Sequence, residues 1–171
     1  MSVYEFLLTL DVENNWKQEK WVDWLSGKEI VNENNINKLD SWYTHCSAFL
    51  SAVCFKLNIP MLIPPEVRTE GLANKQCKWL NENGEKNNWK KITKEEIQNY
   101  CNDHIVVACQ YSKDFPNCGH VAICVNVSND EIYVCQAGKI NSSHIKISDA
   151  FCHPERIEYW LYCKHNKKIE N

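Results

Sequence analysis

The sequence predicts an α+β domain in which N-terminal helices precede a C-terminal antiparallel β-sheet, with one central buried helix packed on that sheet. Three observations predict it. Apolar residues recur at helical spacing through the first hundred positions, the period changes to two from residue 104 onward, and the segment 46–57 is apolar nearly all round. The 171 residues suffice for one domain with a core of its own. Within it the pattern divides into a helical extension (1–39), a helical part containing the central helix (40–103) and a sheet (104–165).

In the extension, "NWKQEKWVDWL" sets Trp16, Trp21, Trp24 and Leu25 largely on one side at helical spacing, which predicts a packing helix. The Asn-rich run "NENNIN" is a surface loop by composition. "DSWYTHCSAFLSAVCFKLNIP" then offers Asp40, Ser41 and Thr44 as N-caps and Pro60 as a stop. Between them apolar residues fall at 46, 49, 50, 53, 54 and 57, and Ala48, Ala52 and Phe55 fill the other sides, so this is the central helix. "GLANKQCKWLNENG" carries Leu72, Ala73, Gln76, Trp79 and Leu80 on one helical face that ends near Gly84. "ITKEEIQNYCN" predicts a further helix, with capping-box spacing at Thr93 and Glu96 and staple spacing at Ile92 and Ile97. From there "HIVVACQ", "GHVAICVNV", "EIYVCQAG", "SHIKIS" and "IEYWLYCK" are β-branched and aromatic runs divided by polar turns, the pattern of an antiparallel meander.

Composition removes several function classes. The net charge of −3 and the scattered Lys and Arg residues argue against nucleic acid, and the densest basic run, "KHNKK", is a solvated tail. No run of about 18 apolar residues is present, so no membrane span is expected. The first residues have no basic leader and meet Asp11, which predicts no signal peptide, folding in the cytoplasm, and export only by a signal-independent route. Of the ten cysteines, Cys54, Cys109, Cys124, Cys135 and Cys163 sit within apolar runs, where a thiol behaves as a small hydrophobe. No CxxC pair occurs and Cys118-Gly119-His120 lacks a second ligand pair, so neither metal nor cofactor is expected.

The chemistry falls to Cys46. A nucleophilic cysteine needs thiolate character, which a helix N-terminus supplies through its dipole and a histidine supplies by taking the proton. Cys46 opens the central helix, and His120 stands at the start of a strand far downstream. Gln136 lies on the next strand, where a hairpin through "VSND" brings it beside His120 to orient the ring. Asn141 in "GKINSS" is the substitute for that role, Tyr43 a candidate to line an oxyanion site, and His45 a rival base because it adjoins Cys46. His104, His144, His153 and His165 are surface or packing residues.

"HCSAFLSAV", then "GHVAICV", then "IYVCQAG" resembles the Cys, His, polar-residue order of the papain-like cell-wall hydrolases called CHAP and NlpC-like, over residues 40–137. The resemblance implies Cys46 as nucleophile, His120 as general base and then acid, Gln136 as the orienting group, and the Cys46 backbone N–H as an oxyanion donor. It implies acyl-enzyme cleavage of an amide bond in peptidoglycan peptide. The sequence departs from the signature at His45, where Asp commonly precedes the nucleophile, and at Ala48, where Gly commonly stands. Gln136 is also a less usual third residue. Two other readings accompany this one. The same site can serve a cysteine protease, deamidase or acyltransferase acting on a protein inside a cell, with a cognate inhibitor or secretion partner, or the domain can be a binding module in which Cys46 and His120 only pack.

Overall fold

The computed structural model describes residues 1–31, 44–64, 66, 71–113 and 119–164. Its first element is a short helix, α1 (Val3–Leu8), closed by a reciprocal cap in which Glu5 N–H donates to Ser2 Oγ (3.2 Å) and the Glu5 carboxylate accepts from Ser2 N–H (2.6 Å). The helix expected from "NWKQEKWVDWL" does not form. Trp16 and Glu19 have left-handed backbones, and Asp23 Oδ1 accepts from the N–H groups of Leu25 and Ser26, offering the chain a turn in place of a helix. The tryptophans still pack: Trp16 and Trp24 are buried, and the Trp16 indole donates to Trp24 O at 2.9 Å.

Helix α2 (Cys46–Leu57) follows the expected bounds. Every residue but Phe55 and Lys56 is buried, and Asn58 ends it in a left-handed conformation two residues before Pro60. Its N-cap is His45, which makes no side-chain cap bond, rather than Thr44; Asp40 and Ser41 lie outside the described residues. Helix α3 (Leu72–Asn83) packs against α2 and ends at Gly84 as expected. A buried glutamine joins the two helices. Gln76 Nε2 donates to Ser47 O (3.2 Å), Ser51 Oγ (3.0 Å) and Leu62 O (3.1 Å).

The helix expected in "ITKEEIQNYCN" is also absent. Only its first residue, Ile92, belongs to strand β1 (Trp89–Ile92), and the rest is mostly turns with one 3-10 segment, Ile97–Asn99. The staple pair explains the difference: Ile92 from a strand and Ile97 from the turn both bury in one apolar cluster, and only half of the capping box is made, Thr93 N–H to Glu96 Oε2. Strands β2 (Val106–Gln110), β3 (His120–Ser128), β4 (Glu131–Ala137) and β5 (Asn141–Lys146) form a meander from the first four of the five expected runs; the fifth does not extend it beyond β5. After the short helix α4 (Ile147–Ala150) the chain crosses back as β6 (Glu158–Tyr162), which pairs with the free edge of β2 and carries β1 outside it. All pairings are antiparallel, in the order β1-β6-β2-β3-β4-β5.

The domain is therefore α+β, and both faces of the sheet's central strands are buried. Val107, Cys109, Val121, Ile123 and Cys135 pack toward α2 and α3, while Val106, Ala108, Ala122, Cys124 and Val134 pack with Ile97, Cys101, Ile147 and Phe151 on the opposite face. Two-sided burial explains why the strand sequences read as apolar runs rather than clean alternation. Among the described residues no helix is long and apolar enough to cross a membrane.

Gly27 ties the N-terminal loop to the core. Its φ is +71°, its carbonyl accepts from Trp16 N–H (2.7 Å), and a Cβ built there would lie 2.2 Å from the Trp16 ring. Gly27→Ala should therefore destabilise the fold by about 2–4 kcal/mol through strain and displaced tryptophan packing. Urea unfolding measures it, and a loss below about 0.5 kcal/mol, the size of an ordinary surface substitution, would contradict this account.

Candidate active site

Cys46 is the first residue of α2, where peptide N–H groups have no partners within the helix and the dipole favours negative charge. The side chain is 5 % exposed. Burial by itself would raise the thiol, yet its pKa is lowered. The opposing influences are the charge of His120, a side-chain hydrogen bond to it, and the N–H groups of Val121 and Ser47. Three groups thus turn toward one sulfur.

His120 opens β3 and meets both sides of the sheet. It is hydrogen-bonded to Cys46 from the helix layer, and its ring stands edge-on to Phe151 from the opposite core, with centroids 4.6 Å apart. Its Nε2 is 2.5 Å from Gln136 Oε1, and Gln136 Nε2 donates to Ile140 O at 3.0 Å. That second bond settles the amide's orientation, since a carbonyl accepts only from NH₂. Gln136 therefore presents its oxygen, Nε2 of His120 carries a hydrogen, and Nδ1 is the nitrogen that faces Cys46. Burial would lower the imidazole pKa, but the Cys46 charge, its hydrogen bond and the Gln136 bond together raise it. Each partner's shift favours its charged form.

Strand register makes this contact possible. From the turn at Asn129 and Asp130, both with positive φ, the hairpin pairs Ser128 with Glu131, Val127 with Ile132 and Asn126 with Tyr133. Continued without interruption, that register would set Gln136 opposite Ile123, which faces α2. A bulge between Cys124 and Asn126 moves the pairing by one, so that Cys124 meets Val134 and Ile123 meets Cys135. Gln136 then falls across from Ala122 on the face that His120 shares.

Three neighbours of the site carry no signal in the pattern of motifs. Phe151 confines the imidazole. Gly138 leaves room for the Gln136 amide, which a Cβ there would approach to 3.1 Å. Asn74 of α3 donates to Ser112 O and accepts from Ser112 N–H, both at 3.0 Å, and its Oδ1 would lie 2.2 Å from a Cβ on Gly119. The residue before His120 is thus glycine because α3 presses on it.

The remaining candidates lie elsewhere. His45 is buried with Nε2 on Lys20 O (3.0 Å), and its pKa is lowered, chiefly by burial, so it faces the N-terminal loop as a neutral ring. Asn141 Nδ2 is spent on the carbonyls of Val12 (3.0 Å), Asn15 (2.8 Å) and Trp16 (3.1 Å) and does not reach His120. Tyr43 and His165 lie outside the described residues. His144 stacks on Tyr133, and His153 Nδ1 is 3.5 Å from Glu155. Burial raises Cys54, Cys124 and Cys135 well above the usual thiol range, and Cys77 is raised first by its hydrogen bond with Cys109 and then by burial. No group of three or more His, Cys, Asp or Glu able to hold a metal ion occurs among the described residues. No protein-family model matches the chain, and no curated protein matches it in sequence.

Two measurements bear on the geometry. The alkylation rate of Cys46 by iodoacetamide should rise with pH through an inflection below the ~8.5 of an unperturbed cysteine. His120→Ala removes the favourable charge and leaves burial, so it should push the inflection above that value. Mass mapping of each cysteine against pH reads both, and a wild-type inflection at or above ~8.5 would remove the case for an activated thiol. Asn141→Ala should instead cost about 1–3 kcal/mol in urea unfolding, from three carbonyls left short of a donor, and leave the Cys46 profile unmoved. A moved profile with unchanged stability would return Asn141 to the site.

Proposed function

We propose that the protein is a cysteine-dependent amidohydrolase or peptidase that works through an acyl-enzyme. The observation that carries this reading is the order of contacts: a helix-opening thiol of lowered pKa, the imidazole bonded to it, and an amide oxygen fixed behind that imidazole. The Cys46 thiolate attacks the carbonyl carbon and the carbonyl electron pair moves to oxygen. The Cys46 N–H, which as a first-turn donor has no partner within its helix, supports that oxyanion. Collapse expels the amine, which takes the proton from His120 Nδ1. Water then attacks the thioester while Nδ1 accepts its proton, and collapse releases the acid and the thiolate, completing amide plus water to acid plus amine.

Of substrate classes, an amide bond in peptidoglycan peptide is the one that the resemblance of "HCSAFLSAV", "GHVAICV" and "IYVCQAG" to the CHAP and NlpC-like hydrolases suggests. Reduced protein incubated with isolated sacculi should release peptide fragments, and Cys46→Ala should release none. If Cys46 is reactive and sacculi stay intact, a protease, deamidase or acyltransferase acting on protein becomes the better reading. His120→Ala should remove turnover, and Gln136→Ala should cost less, roughly ten- to a hundredfold, because water can partly replace an orienting amide. Equal loss in both variants would mean that Gln136 does more than orient the ring.

A further inference from the structure

A cavity of about 380 Å³ is lined by Cys77, Lys78, Asn81, Tyr111, Arg156 and Glu158. Its place relative to Cys46 follows from register. Glu158 of β6 pairs with Cys109 of β2, which pairs with Val121 of β3, whose N–H reaches the Cys46 sulfur. Two strand spacings, roughly 10 Å, therefore separate the cavity's Glu158 from the nucleophile's neighbour. Helix α3 runs along the same path. Asn74, Cys77, Lys78 and Asn81 recur at helical spacing, so one face of α3 touches Gly119 at one end and walls the cavity at the other.

The charges on these walls are unequal in their commitments. Glu158 is already satisfied, with one carboxylate oxygen on Lys91 Nζ and the other accepting from Asn81 Nδ2 at 2.7 Å. Its negative charge is thereby balanced by Lys91. Among the described residues the ion pairs of Lys78 and Arg156 are exposed contacts to Glu82 (3.7 Å) and Glu155 (3.6 Å), longer than hydrogen bonds and of the kind that contributes little. Two cations and the half-exposed Tyr111 thus remain to meet a ligand. A carboxylate is the group that a guanidinium, an ammonium and a phenol hydroxyl jointly suit.

We propose that this cavity is a substrate subsite for a carboxylate placed two to three residues from the scissile amide, with Lys78 and Arg156 as the residues that select it. The spacing follows from the roughly 10 Å path and the ~3.3–3.6 Å that each extended residue spans. The inference rests on Cys46 being the nucleophile of the proposed hydrolase.

The test uses thiol-directed bromoacetyl-glycine oligomers of one to four residues, each as the free acid and as the uncharged amide, on the reduced full-length protein. A second set places the carboxylate on a glutamate side chain with an amidated terminus, which separates a chain-end carboxylate from a side-chain one. At two or three residues the acid should alkylate Cys46 roughly tenfold faster than its amide, the size of one charge-assisted hydrogen bond. The acid-to-amide ratio should fall toward one in the Lys78→Gln, Arg156→Gln double variant and invert in Lys78→Glu. Both sites are exposed, and urea unfolding confirms that the variants fold. If amides label Cys46 as fast as acids at every length, or the preference survives in the double variant, the subsite is wrong and the hydrolase reading stands. A Cys46 inert to every reagent overturns both.

Discussion

A helix that is apolar on nearly every side must be covered on nearly every side, and α2 imposes that demand on the rest of the chain. The sheet covers one flank, α3 another, and the N-terminal loop, with Trp16 packed edge-on to Phe49, a third. Its polar atoms are tied inward by Ser51, which donates to Ser47 O and Leu62 O, and by Gln76. Covering the helix also buries its N-terminus, so Cys46 cannot rely on water to stabilise a negative sulfur. Isolated charges cost several kcal/mol in such a setting, and a neighbouring opposite charge is of the size needed to offset that. The lowered Cys46 and raised His120 are two views of this single balance.

Holding the imidazole in place takes more than its partner sulfur. The ring is bounded by Phe151, bonded through Nε2 to Gln136, and attached to a glycine that Asn74 presses against. Gln136 is itself oriented by Ile140 O and given room by Gly138. A carboxylate in that position would attract the imidazolium more strongly, whereas a neutral amide supplies direction with less charge. The proton's position between sulfur and Nδ1 then depends mainly on the thiolate, the helix dipole and two peptide N–H groups.

Much of this was legible in the sequence, and the parts that were not have physical reasons. The bounds of α2 and α3 and four of the five runs of the meander follow from apolar spacing and from stops at Pro60 and Gly84, whereas the return of the fifth, β6, to the edge of β2 is a matter of topology that spacing does not carry. Cys46 and His120 were visible because each sits at the first position of its element. Gln136 could be placed on the next strand, but its face depended on a bulge at Val125 that no residue there announces. The two expected helices failed for different reasons. Around Trp16 to Leu25, side-chain bonds to Asp23 and positive φ values let a loop bury the same tryptophans, while at Ile92 to Cys101 the sheet recruited Ile92 as the last residue of an edge strand and the rest folded as turns. Helical spacing reports which residues seek burial, and several backbones can satisfy it.

Asn141 shows the same ambiguity within the site. From spacing alone it could orient His120 as well as Gln136, since both follow the histidine strand closely. What separates them is a demand from far away in sequence: the N-terminal loop brings three carbonyls, from Val12, Asn15 and Trp16, to one place, and β5 supplies the donor. A buried carbonyl without a donor costs about 1–3 kcal/mol, so these groups compete for the amide more strongly than an imidazole that Gln136 already serves. The loop that replaced the expected first helix thus decides the role of Asn141, and through it leaves Gln136 as the residue behind the catalytic candidate.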